Sequence, residues 1–173
     1  GNDINVDRGY YRTRVGEELD GWYIRQWAGV NSETGNPMYH KGGETFDMSI
    51  VNSLNSAELT PSGRRLPKYT GGLGSRVTWG GFYADANFYF SGGNKIFERW
   101  NWYSQHTGLY STRAYQGAAS LMNRWQKPGD ITNVPRMRYT YSTSTAGSGT
   151  TTRFLYDGDY VRLRDLVIGY SVP

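Results

Sequence analysis

One stretch constrains the fold more than any other: residues 69–97, YTGGLGSRVTWGGFYADANFYFSGGNKIF. After Gly80-Gly81, the residues Phe82, Ala84, Ala86, Phe88 and Phe90 fall on one parity, and Tyr83, Asp85, Asn87, Tyr89 and Ser91 on the other. Successive side chains of a strand point to opposite faces, so alternation held this long predicts a strand with one apolar and one polar side. Before the glycines, Leu73, Ser75, Val77 and Trp79 share a parity, with Arg76 and Thr78 opposite. A Gly-Gly pair supplies the positive φ of a tight turn, so the two runs are expected to form a β-hairpin over 69–97.

Composition narrows what such a hairpin belongs to. The 173 residues suffice for one domain with a core. Only 37% are hydrophobic while 16% are aromatic, and 23 are Gly, which fits a β-rich, loop-heavy chain better than a packed α/β enzyme. The absence of Cys excludes a disulfide framework and thiolate metal sites. A net charge of +4 from scattered basic residues gives no nucleic-acid footprint. No apolar run approaches the roughly 18 residues of a membrane helix. Strands of a membrane β-barrel alternate and escape that test.

Taken in order, residues 2–18 are polar and suggest a strand end or edge carrying Arg12 and Arg14. Trp22, Tyr23, Ile24 and Trp27 predict a strand, residues 31–37 are dense in turn chemistry, and Met38-Tyr39-His40 returns as a short strand. Residues 46–66 show no clear period beyond a short helical turn near 49–54. Residues 98–152 form a long insertion, with Trp100, Trp102 and Tyr103 just past the hairpin. Tyr115, Ala118, Ala119, Met122 and Trp125 recur at helical spacing, predicting an amphipathic helix over 111–126 that Lys127-Pro128-Gly129-Asp130 stops. Residues 142–152, STSTAGSGTTT, are expected to be flexible and too small and polar to bury anything. In the last segment, 156–173, Leu166, Ile168, Tyr170 and Val172 alternate with Val167, Gly169 and Ser171, and Arg162 and Arg164 fall on the parity of Leu166. Arginine at a bilayer midplane costs about 2–4 kcal/mol, so a lipid-facing parity would require these two to sit above the apolar band.

The ending DGDYVRLRDLVIGYSVP resembles a C-terminal signature of SusC/RagA-family TonB-dependent outer-membrane transporters. So do RLPKYTGGL, WQKPGDITNVPR, VGEELDGWY and AGVNSETGNPMY, in the family's order and across nearly the whole chain. The resemblance implies antiparallel transmembrane β-barrel strands with long extracellular loops, in the outer membrane of a bacterial cell. It implies import of oligosaccharides or oligopeptides, a SusD-like surface lipoprotein as lid, and energy from TonB delivered through a plug domain. No cofactor is implied. The chain begins without Met at Gly1-Asn2-Asp3 and carries no plug or TonB-box pattern, so it is expected to be part of the C-terminal barrel of a longer transporter. In that frame residues 69–97 are a barrel hairpin, 98–155 a long extracellular loop and 156–173 a further barrel strand.

The residue pattern agrees with that topology. Gly71–Trp79 and Phe82–Phe90 match the roughly 9–11 residues of a tilted membrane strand. Leu73, Val77, Phe88, Phe90, Leu166 and Ile168 are then lipid-facing, and Trp79, Phe82, Tyr83 and Tyr170 gather near one membrane interface, where amphipathic aromatics settle. By pattern alone the same residues would serve as the core of a soluble β-sandwich.

For chemistry, His40 and His106 are the only histidines and lie far apart, without ligand spacing. Glu17-Glu18 and Asp157/Asp159 read as solvated turn residues rather than a glycosidase pair. The glycines of GGLG and SGGN lack a Walker lysine. No enzyme emerges. Trp100, Trp102, Tyr103, His106, Tyr110, Arg113 and Tyr115 form an aromatic-rich loop suited to contacting substrate or lid, or to packing the loop helix on the barrel rim. A soluble β-rich carbohydrate-binding module is the alternative, and a glycoside hydrolase fragment a weaker third.

Overall fold

The computed structural model describes residues 6–7, 10–48, 57–108, 117–138 and 149–172. In chain order they form β1 (Val6–Asp7), β2 (Tyr11–Thr13), β3 (Gly21–Arg25), β4 (Trp27–Val30), β5 (Pro37–Lys41), β6 (Glu44–Asp47) and β7 (Leu59–Pro61). Then come β8 (Tyr69–Trp79), β9 (Phe82–Gly92), β10 (Lys95–Phe97), the short helix α1 (Arg99–Ser104), β11 (Leu155–Asp157) and β12 (Tyr160–Tyr170). Among the described residues no helix is long and apolar enough to cross a membrane.

The expected hairpin is present over residues 69–92, while residues 95–97, expected within it, pair with β11 instead. Strands β8 and β9 pair without a break from Tyr69↔Gly92 to Trp79↔Phe82, across Gly80 and Gly81 at φ 55° and 88°. Strand β12 pairs antiparallel along the other side of β9, giving the order β12-β9-β8. Residues directly opposite each other share a face. One face therefore carries Leu73, Val77 and Trp79, then Phe82, Ala84, Ala86, Phe88 and Phe90, then Val161, Leu163, Leu166, Ile168 and Tyr170. The other carries Arg76, Tyr83, Asp85, Asn87, Tyr89, Tyr160, Arg162 and Asp165. The large apolar side chains of the first face are exposed.

The ladder corrects the expected position of Arg162. The β9–β12 register shifts between Leu163 and Asp165, so Arg164 is an extra residue and alternation changes phase there. Arg162 consequently stands opposite Tyr89 on the polar face, and Val161 and Leu163 take the apolar positions. A bulge, and not height along the strand, keeps Arg162 off the apolar face.

Beyond Gly92 the ribbon continues. Strands β10 and β11 pair from Lys95↔Asp157 to Phe97↔Leu155, and Lys95 Nζ meets Asp157 Oδ1 at 2.5 Å. At the junction Gly93 N–H donates to Asp159 Oδ1 (2.7 Å). The rest of the chain packs outside the sheet. The sheets β1-β2-β3-β7 and β4-β5-β6 hold a small core, in which Tyr39 and Phe154 are 0% exposed and Ile24 and Met48 1%. Trp27 meets Tyr39 edge-on at 5.3 Å, and the buried Arg153 guanidinium lies 5.1 Å from the Trp27 ring and 4.9 Å from Phe154. Burial pulls Arg153 down to about 10 and raises the Tyr39 hydroxyl above its ordinary range. Trp22 ties this region to the ribbon, its Nε1–H donating to Lys95 O (2.8 Å) and its ring lying 5.8 Å from Phe97.

Three further expectations are corrected. The strand through Trp22 and Trp27 breaks at Gln26 into β3 and β4, which belong to different sheets. Of the helix expected over 111–126, residues 111–116 lie outside the described residues, and Ala119–Asn123 is a 3₁₀ turn flanked by extended Ala118 and Arg124. In the small polar stretch 142–152, residues 142–148 lie outside the described residues, but Thr150 and Thr151 are buried. Thr152 Oγ1 accepts from Trp27 N–H (2.9 Å) and Thr151 bridges Arg25, so small side chains let two backbones approach. The helical turn expected near 49–54 lies outside the described residues.

The two faces make a direct prediction for the full-length protein folded in lipid vesicles. Leu166→Arg, mid-strand on the apolar face, is expected to lose about 2–4 kcal/mol in denaturant titration, and Val167→Arg on the opposite face much less. Equal losses would contradict a lipid-facing assignment of that face.

Candidate functional site

Helix α1 stands where the ribbon ends. Glu98 N–H donates to Phe154 O (2.9 Å), continuing the pairing of β10 with β11. Asn101 Nδ2 donates to Glu98 Oε2 (2.5 Å) and reaches the Tyr156 hydroxyl (3.3 Å), which fixes the helix on the strand below. Residues three apart on a helix are neighbours. Trp100 and Tyr103 accordingly meet at 6.0 Å, and Trp102 joins Tyr103 at 4.8 Å. Arg99 lies 5.9 Å from the Trp102 ring. Trp100 is 78% exposed, whereas Trp102 and Tyr103 are half-buried, so the group turns chiefly the Trp100 ring outward.

His106 sits differently. It is only 5% exposed, and burial lowers its pKa below the ordinary value. Gly108 N–H donates to its Nδ1 (3.2 Å), which places the proton of the neutral ring on Nε2. Around it the loops are laced together. Ala118 N–H donates to Ser104 O (2.8 Å) and Arg138 N–H to Thr107 O (2.8 Å), while Arg138 also bonds the Asn36 side chain. Trp125 Nε1–H donates to Ser32 O (2.7 Å). The turn over residues 31–36 and the segment after α1 thus support one surface.

The structure brings Trp100, Trp102 and Tyr103 together, and places His106 in the support beneath the loop surface. Tyr110, Arg113 and Tyr115 lie outside the described residues. Leu73, Val77, Phe88, Phe90, Leu166 and Ile168 share the apolar face. At its turn end Phe82 and Tyr170 pack at 4.6 Å beside Trp79, whereas Tyr83 stands at the same level on the polar face, with Arg76 5.2 Å from its ring. Sequence reasoning missed the polar wall of Tyr89, Tyr160, Arg162 and Arg164, because its only signal was an irregularity in alternation. Among the described residues no group of His, Asp and Glu is placed to hold a metal ion.

The chain is 27% identical over 169 residues to TonB-dependent receptor P3 of Formosa agariphila, covering 92% of this chain and 16% of that protein. It is 27% identical over 115 residues to TonB-dependent receptor P39 of the same organism, covering 66% and 11%. The fold matches the RagAB peptide transporter with a TM-score of 0.75 at 19% identity, over 99% of this chain and 18% of that one. The chain resembles one stretch of a SusC/RagA-type TonB-dependent receptor.

The RagAB peptide importer in its "closed-closed" and "open-open" states gives the same TM-score, 0.75. No protein-family model matches. Since the chain spans only 16% and 11% of its curated relatives, its open three-stranded sheet is what part of a TonB-dependent receptor barrel wall would present. The proteins it resembles are receptors and transporters, not enzymes.

The buried imidazole predicts a pH effect in the loop. An unfolded loop takes up a proton near 6.5 that the folded loop resists, so His106 leaves stability intact above that value and lowers it as pH falls below. Amide exchange at Gly108, corrected for its intrinsic pH dependence, should accelerate below about 6.5 and lose that acceleration in His106→Gln. Unchanged behaviour in the variant would contradict the role given to the ring.

Proposed function

We propose that this chain is a wall-and-loop segment of a TonB-dependent transporter that imports oligosaccharides or oligopeptides across the bacterial outer membrane. The observation that carries the proposal is the sheet β8, β9 and β12, with three strands of 11 residues each, one continuous apolar face left exposed and one polar face behind it. About 9–11 residues span a bilayer at the usual tilt of barrel strands. The apolar face then meets lipid, the polar face lines the interior, Gly80-Gly81 turns on the periplasmic side and residues 98–154 stand outside the cell.

In this arrangement Trp100, Trp102 and Tyr103 face substrate or a SusD-like lipoprotein lid, with Tyr110, Arg113 and Tyr115 on the same loop. His106 shapes that surface from beneath. Gating by TonB acts through a plug elsewhere in the protein. The equal fit to two states of the RagAB importer supports placing the segment in a part that keeps its fold as such a transporter opens and closes. A soluble carbohydrate-binding module would need the apolar face covered, and among the described residues it is not.

The test is fractionation and uptake with the full-length protein in its native cells. It should sediment with the outer membrane, and uptake of labelled oligosaccharide or oligopeptide should stop when TonB is deleted. Recovery in the soluble fraction would overturn the proposal. Trp100→Ala/Trp102→Ala should weaken substrate or lid affinity roughly tenfold, measured by titration, with barrel folding unchanged. Unaltered affinity for both would remove the aromatic helix from the site.

A further inference from the structure

The polar face of the sheet carries a groove near its loop end. Cross-strand pairing sets Gly72 opposite Tyr89 and Gly74 opposite Asn87, so the β8 side of the groove has no side chains. One hollow of about 360 Å³ lies between Tyr89, Tyr160, Arg162 and Arg164. A second of about 320 Å³, lined by Gly72, Gly74, Asn87, Tyr89, Arg164 and Asp165 among others, shares Tyr89 and Arg164 with the first. The bulge at Arg164 is what brings a second guanidinium to this place.

Elsewhere in the same sheet an aromatic ring covers the glycine opposite it: Phe90 over Gly71, Tyr69 over Gly92 and Tyr83 over Gly169. At the fourth such pair the ring is turned away. Tyr89 lies 6.0 Å from Tyr160, and the space above Gly72 meets only a backbone oxygen. Arg162 rests 5.3 Å from the Tyr160 ring. Among the described residues neither Arg162 nor Arg164 has an ion-pair partner, while the nearby Asp165 carboxylate is held by Asn87 Nδ2 (2.8 Å). The groove therefore combines a floor open above Gly72, two tyrosine rings and two guanidinium groups that form no ion pair among the described residues, with the Asp165 carboxylate at its side.

We propose that this groove is a subsite for an oligosaccharide bearing ring carboxylates, that is, a uronate-containing glycan. A guanidinium fork matches a carboxylate in shape and charge, and aromatic faces accept the apolar face of a sugar ring. A uronate offers a flat face and an anion on one ring, which is the combination found around Tyr89, Tyr160, Arg162 and Arg164. An extended peptide is a poorer match, because it binds a sheet best through unpaired backbone groups at an edge. Here the groove lies across the face of the sheet, over the β8–β9 and β9–β12 ladders, and not along an edge. The proposal rests on the transporter reading and names the substrate class for it.

The experiment uses the full-length protein in detergent, titrated with oligogalacturonate, with an uncharged maltooligosaccharide and with a polyglutamate peptide. Wild type should bind oligogalacturonate in a salt-sensitive way and prefer it to the other two. Arg162→Gln/Arg164→Gln should weaken that binding roughly tenfold or more. Gly72→Val fills the floor without changing charge and should weaken it as well. Heat-modifiable migration on gels checks that each variant still forms a barrel. Binding unaffected by both variants, or equal binding of the uncharged sugar, would overturn the subsite. Polyglutamate bound more tightly than oligogalacturonate, and lost in the same variants, would overturn the glycan assignment. Failure of the transporter reading itself would appear separately, as wild-type protein that is monodisperse without detergent and shows no heat-modifiable form.

Discussion

Hydrocarbon offers no water to an unpaired N–H or C=O, and that constraint governs how a β-sheet can serve in a membrane. Strand β9 meets it, since β8 and β12 pair with it along its length. Among the described residues β8 and β12 each pair on one side only, so both need neighbours before the sheet can sit in lipid. A segment of barrel wall has this form. Side-chain chemistry then follows from position: apolar residues on one face, polar residues on the other, and packing reserved for the loops. The small core around Tyr39, Phe154, Ile24 and Met48 accordingly lies outside the long strands.

The hairpin, its turn and its faces were legible because strand geometry maps directly onto sequence with a period of two. No tertiary knowledge was needed to place Leu73, Phe88 and Ile168 on one side. The ordered motifs carried the family resemblance, and with it the barrel fold, further than alternation alone would allow. The aromatic cluster was visible as composition, though not as a helix, because α1 is too short to show a period.

What escaped the sequence depended on partners remote in the chain. A bulge is a relation between two strands, so Arg164 looked like part of an unbroken alternation and carried Arg162 to the wrong face. Thr151 and Thr152 looked like linker, yet Thr151 bridges Arg25 and Thr152 accepts from Trp27 N–H, more than a hundred residues away in sequence. The helical spacing of Ala118, Ala119 and Met122 was genuine but too weak to outweigh the contacts around Ser104 and Ser32, and a 3₁₀ turn results.

The β10–β11 pair has a consequence for how such a protein can change over generations. It clamps both ends of the segment 98–154, with Lys95, Ile96 and Phe97 held against Asp157, Tyr156 and Leu155. Loop-closure entropy grows only logarithmically, by about 0.6 kcal/mol for each doubling of length. The ribbon thus works as a socket. A loop of different length or chemistry can be exchanged above it while strand register below stays fixed, so the loop can diverge far faster than the strands that hold it.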